Sequence, residues 1–281
     1  MAYVSDSGEF TRDTRYLDGE WGPEPGRYRL FVSRACPWAS RAICVREILG
    51  LQEVLPMTVC GPTHSEEDSW TYDHGTKRLR DRYPEGYDRG ITVPAIVDTT
   101  TGSVVNNDYP SITLRLSTEW KQFHRPGAPD LYPEPLREEM DEVMDLVFHD
   151  VNNGVYRCGF AGDQDAYEKA YHQLFDRLDW LSERLSTRRF LMGDSITEAD
   201  VRLFTTLVRF DAVYHSHFKC NRQKLTEMPV LWRYARELFQ TPGFGDTVSF
   251  EDIKLHYYCV QRDINPTGVV PLGPDVSVWA A

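Results

Sequence analysis

The chain has 281 residues, enough for one large domain or two ordinary ones, and its 31 Lys and Arg against 43 Asp and Glu give a net charge of −12. An acidic chain without a basic run argues against nucleic acid and anionic membrane as partners. No stretch is apolar enough to cross a bilayer, Met1-Ala2-Tyr3-Val4-Ser5-Asp6 carries no signal-peptide pattern, and the six cysteines (36, 44, 60, 158, 220 and 259) form neither a C-x-x-C pair nor a metal-binding spacing. A reduced, cytoplasmic setting without structural metal or disulfide framework is expected.

In chain order, residues 1–26 are polar, carry Gly and Pro, and read as an N-terminal extension over the surface. Arg27-Tyr28-Arg29-Leu30-Phe31-Val32-Ser33 alternates like a strand, and beyond it Trp38, Ala42, Val45 and Leu49 fall at helical spacing. Cys36 therefore sits where a strand ends and a helix begins. Pro37 lacks an N–H and suits the first helical turn, whose unpaired N–H groups and dipole favour a thiolate over a thiol. This is the placement of a reactive thiol rather than of a core cysteine. Residues 54–59 read as a second, parallel strand, and residues 60–90 show no apolar period, which in a compact domain points to a functional loop. Pro94-Ala95-Ile96-Val97-Asp98 and Ser103-Val104-Val105 flank Thr99-Thr100-Thr101-Gly102 as a hairpin, and a helix follows from about Ser111 to Trp120. The order is β-α-β, then β-β-α.

Prolines 126, 129, 133 and 135 mark a boundary. Beyond it, Leu136, Met140, Val143, Val147 and Val151 share one helical face, and Tyr167, Tyr171, Leu174, Leu178, Leu181 and Leu185 another. A third helix starts at a Thr197/Asp200 capping box, a fourth at Pro229, and a fifth covers Phe250 to Val260. The expected fold class is α/β plus all-α, with a mixed domain over 27–125 and an all-helical domain over 136–281.

The β-α-β…β-β-α order with a cysteine at the first strand–helix turn resembles thioredoxin, and a helical second domain resembles the glutathione S-transferases. Arg34-Ala35-Cys36-Pro37-Trp38-Ala39, Thr92-Val93-Pro94, Asn152-Asn153-Gly154-Val155-Tyr156, the run Gly193 to Phe204, Phe218-Lys219-Cys220-Asn221 and the run Ile264 to Pro271 together resemble the Xi class, the glutathionyl-hydroquinone reductases. The resemblance spans nearly the whole chain. It implies a cysteine-dependent transferase or oxidoreductase in which Cys36 attacks the sulfur of a thiol-conjugated hydroquinone, the hydroquinone leaves, and a second thiol releases the mixed disulfide. Ala39 leaves Cys36 without a resolving partner, which fits a one-cysteine cycle. The resemblance also implies a homodimer through the helical domain.

Further site residues come with it. Val93, in the turn that resembles the cis-proline turn of thioredoxin folds, would pair its N–H and C=O with the thiol's backbone in the manner of an added strand. Trp70 would pack on the thiol, a role favoured over mere anchoring of the 60–90 loop because that loop has no other apolar anchor yet carries so large a side chain. Where the family places Glu-Ser at a helix start to hold the γ-glutamyl group, this chain has Asp108-Tyr109. That departure leaves the low-molecular-weight thiol open between glutathione and mycothiol, and an ordinary helix cap by Asn107 or Asp108 is the structural alternative. Arg89 stands one residue early for the family's arginine, so a solvated side chain competes with a ligand role. Tyr156 and Tyr257 or Tyr258 resemble tyrosines lining a quinol pocket, with aromatic core packing as the alternative. Two other readings compete for the whole protein: a dehalogenase or general disulfide reductase of the same fold, and a non-catalytic binding protein. Retention of Cys36 at a helix start speaks against the last.

Overall fold

The computed structural model describes residues 3–5, 7–13, 15–65 and 69–280. The chain divides into two compact units. One comprises Asp13–Pro129 with Pro242–Val260, and the other Met1–Arg12, Asp130–Thr241 and Gln261–Ala281. The N-terminal extension is thus shared between them. Its first part is a short hairpin of β1 (Tyr3–Val4) and β2 (Phe10–Thr11) in the second unit.

In the sheet unit, β3 (Tyr28–Val32), α1 (Pro37–Leu49) and β4 (Met57–Val59) form the expected β-α-β turn, with β3 and β4 parallel. Val54 and Leu55 lie in the turn before β4, so this strand is shorter than the apolar run suggested. Residues 60–90 are not the unpatterned loop expected from the missing period. His64–Ser65, Ser69–Tyr72 and Lys77–Arg78 are β5, β6 and β7 of a small antiparallel meander, in strands too short to print a periodicity. β8 (Ala95–Asp98) and β9 (Ser103–Asn106) complete the main sheet in the order β4-β3-β8-β9, followed by α2 (Tyr109–Thr118). Leu30, Val32 and Ile96 have no exposed surface in this sheet. Burial of each such side chain contributes roughly 1.5–3 kcal/mol. α1 is buried along nearly its whole length and ends at Gly50 in the left-handed region (φ 76°), where a Cβ would lie 2.6 Å from the Arg125 side chain. That position requires glycine on both counts.

The later part of the extension is not a loose surface wrap. The Gly19 N–H donates to the Val105 carbonyl at 3.1 Å, and Trp21 is only 2% exposed, packed against Tyr28 and Trp120.

The helical unit holds α3 (Arg137–Leu146), α4 (Gly154–Gly159), α5 (Gln164–Ser186), α6 (Glu198–Leu207) and α7 (Pro229–Phe239). The apolar face predicted from Leu136 to Val151 continues past α3 through a π-helical turn, Val147–Asn152. This turn directs Asn152 inward, where its amide donates to the Arg202 carbonyl at 3.0 Å and to Thr206 Oγ1 at 2.7 Å. Bulges of this kind re-aim a side chain without ending a helix. α8 (Phe250–Val260) belongs to the sheet unit, although the sequence pattern groups it with the helices. Its Ile253 and Tyr257 are fully buried, and Thr247 just before it lies 3.5 Å from Cys44 Sγ.

Candidate active site

Cys36 is the N-cap of α1, with Pro37 at the first helical position and no acid in the first turn. The Cys36 carbonyl already accepts the Ser40 N–H and hydroxyl, both at 3.0 Å, while the Cys36 N–H donates to the Ser33 carbonyl. Cys36 is 8% exposed, and its thiol donates to the Val93 carbonyl at 3.4 Å. Val93 precedes Pro94 through a cis peptide bond, as expected. The Val93 N–H has no hydrogen bond among the described residues. Cys36 thus lies beside one carbonyl and one open N–H of the same residue, the pair that a cysteinyl backbone would occupy.

Asp108 caps α2 through its backbone, and its carboxylate makes no capping hydrogen bond. Its N–H is held by Asn106 Oδ1 at 3.0 Å. Tyr109 is buried, with its ring 4.7 Å from Trp38 and edge-on to Tyr16 at 5.4 Å. Its hydroxyl is buried without a hydrogen-bond partner among the described residues, a costly arrangement unless a ligand supplies one. The guanidinium of buried Arg41 lies 4.6 Å from the Trp38 ring and 5.9 Å from that of Tyr109. Arg89 donates to the Tyr16 carbonyl at 2.9 Å, so it braces the segment against which Tyr109 packs rather than standing free in solvent.

Trp70 is 5% exposed. It stacks on His256 at 5.3 Å and meets His64 at 4.6 Å, while His256 Nδ1–H donates to the Pro62 carbonyl at 2.8 Å. The indole is therefore held by two histidine rings. Tyr257 is fully buried and edge-on to His256, and Tyr258 is 7% exposed. Tyr156 lies in the helical unit on α4. There it is 9% exposed within an aromatic cluster with Phe10, Phe218 and Tyr214, and the Arg12 guanidinium lies 5.0 Å from its ring.

From sequence, Asn107 is only a candidate helix cap, and Tyr83 and His256 are not site candidates. Asn107 is a buried hub linking Thr92, Tyr83 and Leu17, and two adjacent Asn residues before a helix were the available signal. Burial pushes the Tyr83 phenol up to about 12, so it remains a neutral group that both donates and accepts. None of the other cysteines forms a disulfide among the described residues, and all but the half-buried Cys259 are buried; burial pushes the Cys60 thiol up to about 12 and that of Cys220 upward too. Among the described residues no group of three His, Cys, Asp or Glu could hold a metal, and no helix is long and apolar enough to cross a membrane.

A family model for the glutathione S-transferase C-terminal domain matches residues 164–237, from the start of α5 into the last turn of α7. The chain is 38% identical to a glutathionyl-hydroquinone reductase of Sphingobium chlorophenolicum, PcpF, over 96% of this chain and 91% of that protein. Its fold matches glutathione transferase Xi from Phanerochaete chrysosporium with a TM-score of 0.92 and 39% identity, over 98% of this chain and 95% of that one. The chain belongs to the Xi-class glutathione transferases. A glutathione transferase from Gordonia bronchialis is also similar, with a TM-score of 0.93 and 58% identity over 95% of this chain and 89% of that one. The expected architecture, an α/β domain of thioredoxin type with a transferase-type helical domain, is the fold of this Xi-class enzyme.

Burial pushes His64 down to about 4, from an ordinary value of 6.5. Between those values the unfolded chain takes up a proton that the fold resists, so stability falls as pH drops from about 6.5 toward 4. His64→Phe keeps an aromatic ring against Trp70 and removes this titration. Its melting temperature is expected to fall less steeply than the wild type's across that window. Parallel curves for the two proteins would show that His64 titrates normally in the fold.

Proposed function

We propose that this protein removes a low-molecular-weight thiol from S-conjugated hydroquinones through a mixed disulfide on Cys36. The observation that carries the reading is the Cys36 thiol held 3.4 Å from the Val93 carbonyl beside the unpaired Val93 N–H. In the first step the Cys36 thiolate attacks the conjugate's sulfur. The carbon–sulfur bond breaks, and its electron pair with a proton leaves as the hydroquinone. In the second step an incoming thiolate attacks the thiol's sulfur in the mixed disulfide, releasing a small disulfide and returning the Cys36 thiolate. Residues 27–125 supply the thiol site in this reading, and residues 136–281 supply substrate contacts and the surface for a homodimer. Tyr156 and Tyr258 keep some accessible surface for a quinol ring, whereas Tyr257 keeps none. The composition favours cytoplasmic operation without metal, nucleic acid or membrane.

The names of its relatives point to glutathione as the thiol. The start of α2 points elsewhere. A γ-glutamyl group calls for a carboxylate to take its ammonium and a small hydroxyl to take its carboxylate. This chain offers a shorter acid, Asp108, and a ring with a buried, unpartnered hydroxyl, Tyr109. Such a ring suits stacking and hydrogen bonding to a sugar, so we propose mycothiol, a sugar-linked cysteine, as the preferred thiol. The test is kcat/KM for matched glutathione and mycothiol conjugates of one hydroquinone. The wild type is expected to favour the mycothiol conjugate, and Asp108→Glu with Tyr109→Ser to move the ratio about tenfold toward glutathione, about 1.4 kcal/mol in the transition state. A wild type that already prefers glutathione tenfold, with a double variant that leaves the ratio unchanged, overturns the thiol assignment while leaving the reaction intact.

A further inference from the structure

We propose that Asn107 and Tyr83 are positioning residues for the thiol site: through Thr92 they set the Val93 main chain against Cys36, and through the Asn107 backbone they set the start of α2. The inference rests on the reaction proposed above.

Asn107 is 1% exposed, and every polar atom of its side chain is engaged. Its Oδ1 accepts the Leu17 N–H at 2.7 Å, and its own N–H donates to the Leu17 carbonyl at 2.9 Å. Its Nδ2 lies 2.9 Å from Thr92 Oγ1, 3.2 Å from the Tyr83 hydroxyl and 3.4 Å from the Tyr87 hydroxyl. An amide nitrogen has two protons, so Thr92 takes one and the two phenols share the other.

The Tyr83 hydroxyl completes the arrangement. It donates to the Thr92 carbonyl at 3.0 Å and receives the Thr92 N–H at 3.3 Å. Both backbone groups of Thr92 are thereby occupied by one phenol. The next residue, Val93, is the one left with an open N–H, and its carbonyl receives the Cys36 thiol. The clamp on Thr92 thus determines which residue can meet the backbone of a bound thiol, and at what height relative to Cys36. On its other side Asn107 is followed directly by Asp108, and its carbonyl accepts the Tyr109 N–H at 2.9 Å. One buried amide therefore ties together the two edges that a thiol must span, the Val93 main chain and the α2 start. A buried polar network of this kind holds its members in one geometry when every atom is satisfied.

Thr92→Val removes the hydroxyl that receives the Asn107 amide and keeps the side chain's shape; Thr92→Ser retains the hydroxyl. Tyr83→Phe removes the clamp. With the full-length protein, the second-thiol KM is measured at saturating hydroquinone conjugate, using glutathione and mycothiol as probes. Cys36 alkylation by iodoacetamide is followed in parallel, because that small reagent needs no thiol site. Thr92→Val and Tyr83→Phe are expected to raise the thiol KM about tenfold, with Thr92→Ser staying within about twofold of wild type. Alkylation rates are expected to stay within about twofold throughout. KM values unchanged in folded Thr92→Val and Tyr83→Phe would overturn the proposal, as would KM and alkylation rate moving together, since that reports general loosening. If Tyr83→Phe does not fold, the Thr92→Val and Thr92→Ser pair decides by the same criteria. A wild type without turnover on either conjugate removes the reaction, and this role with it; a wild type with turnover isolates the positioning question.

Discussion

Cys36→Ser is expected to fold normally and to lose turnover on thiol-conjugated hydroquinones by about 10³-fold or more, the scale of losing a covalent nucleophile. An alcohol at neutral pH does not attack sulfur usefully, and no neighbouring base changes that in the proposed cycle. The fold should not suffer. Position 36 is an N-cap in extended backbone (φ −78°, ψ 121°) without a side-chain cap bond. Serine is a better N-cap than cysteine, so stability should hold or rise by up to about 1 kcal/mol. Cys36→Ala should lose the same activity without that gain. The measurements are kcat/KM with a thiol-conjugated hydroquinone and intact-protein mass after incubation with the conjugate. Wild type should gain one thiol adduct at Cys36 and the variants none there. The half-buried Cys259 serves as an internal control for ordinary alkylation, while the remaining cysteines are buried. Wild-type turnover in either variant would remove the mechanism.

Asp200→Ala is expected to be the most destabilising single change in the helical unit. The Asp200 carboxylate is fully buried and accepts from the Leu191 N–H at 2.9 Å, the Thr197 N–H at 2.8 Å, the Thr197 hydroxyl at 2.9 Å and the Tyr234 hydroxyl at 2.8 Å. The predicted capping box is therefore present, and the Asp200 carboxylate extends it to α7 through Tyr234. Truncation strands four buried donors at about 1–3 kcal/mol each, and partial relaxation leaves a loss of about 3 kcal/mol or more. The melting temperature should fall by about 6–12 °C. Tyr234→Phe removes one of the four bonds and should cost about 1 kcal/mol. Thermal and denaturant unfolding measure both. A loss below about 1 kcal/mol for Asp200→Ala would mean that the network is replaceable.

What the sequence determined by itself was local and covalent. Strand alternation before Cys36, proline after it and helical spacing beyond it place the thiol at the start of α1, and the structure has a strand over Tyr28–Val32 and Cys36 as the N-cap of α1. The Thr99–Gly102 hairpin and the Thr197/Asp200 helix start follow from turn and cap chemistry within a few residues, and both are present. The rest depended on contacts distant in sequence. The meander over residues 64–78 uses strands of two to four residues, too short for a period, and exists because His64 and Ser65 pair with Trp70 and Ser69. α8 has a helical pattern that says nothing about its partner, and only packing places it with the sheet unit. The packing of Trp70 involves His256, 186 positions away, whose ring stacks on it. Asn107 looked like one more cap, and became a hub only because folding brings Leu17, Tyr83 and Thr92 to its amide. Periodicity and caps report what a residue does to its own helix or strand, whereas a hydrogen-bond hub is defined by groups that only the tertiary structure assembles.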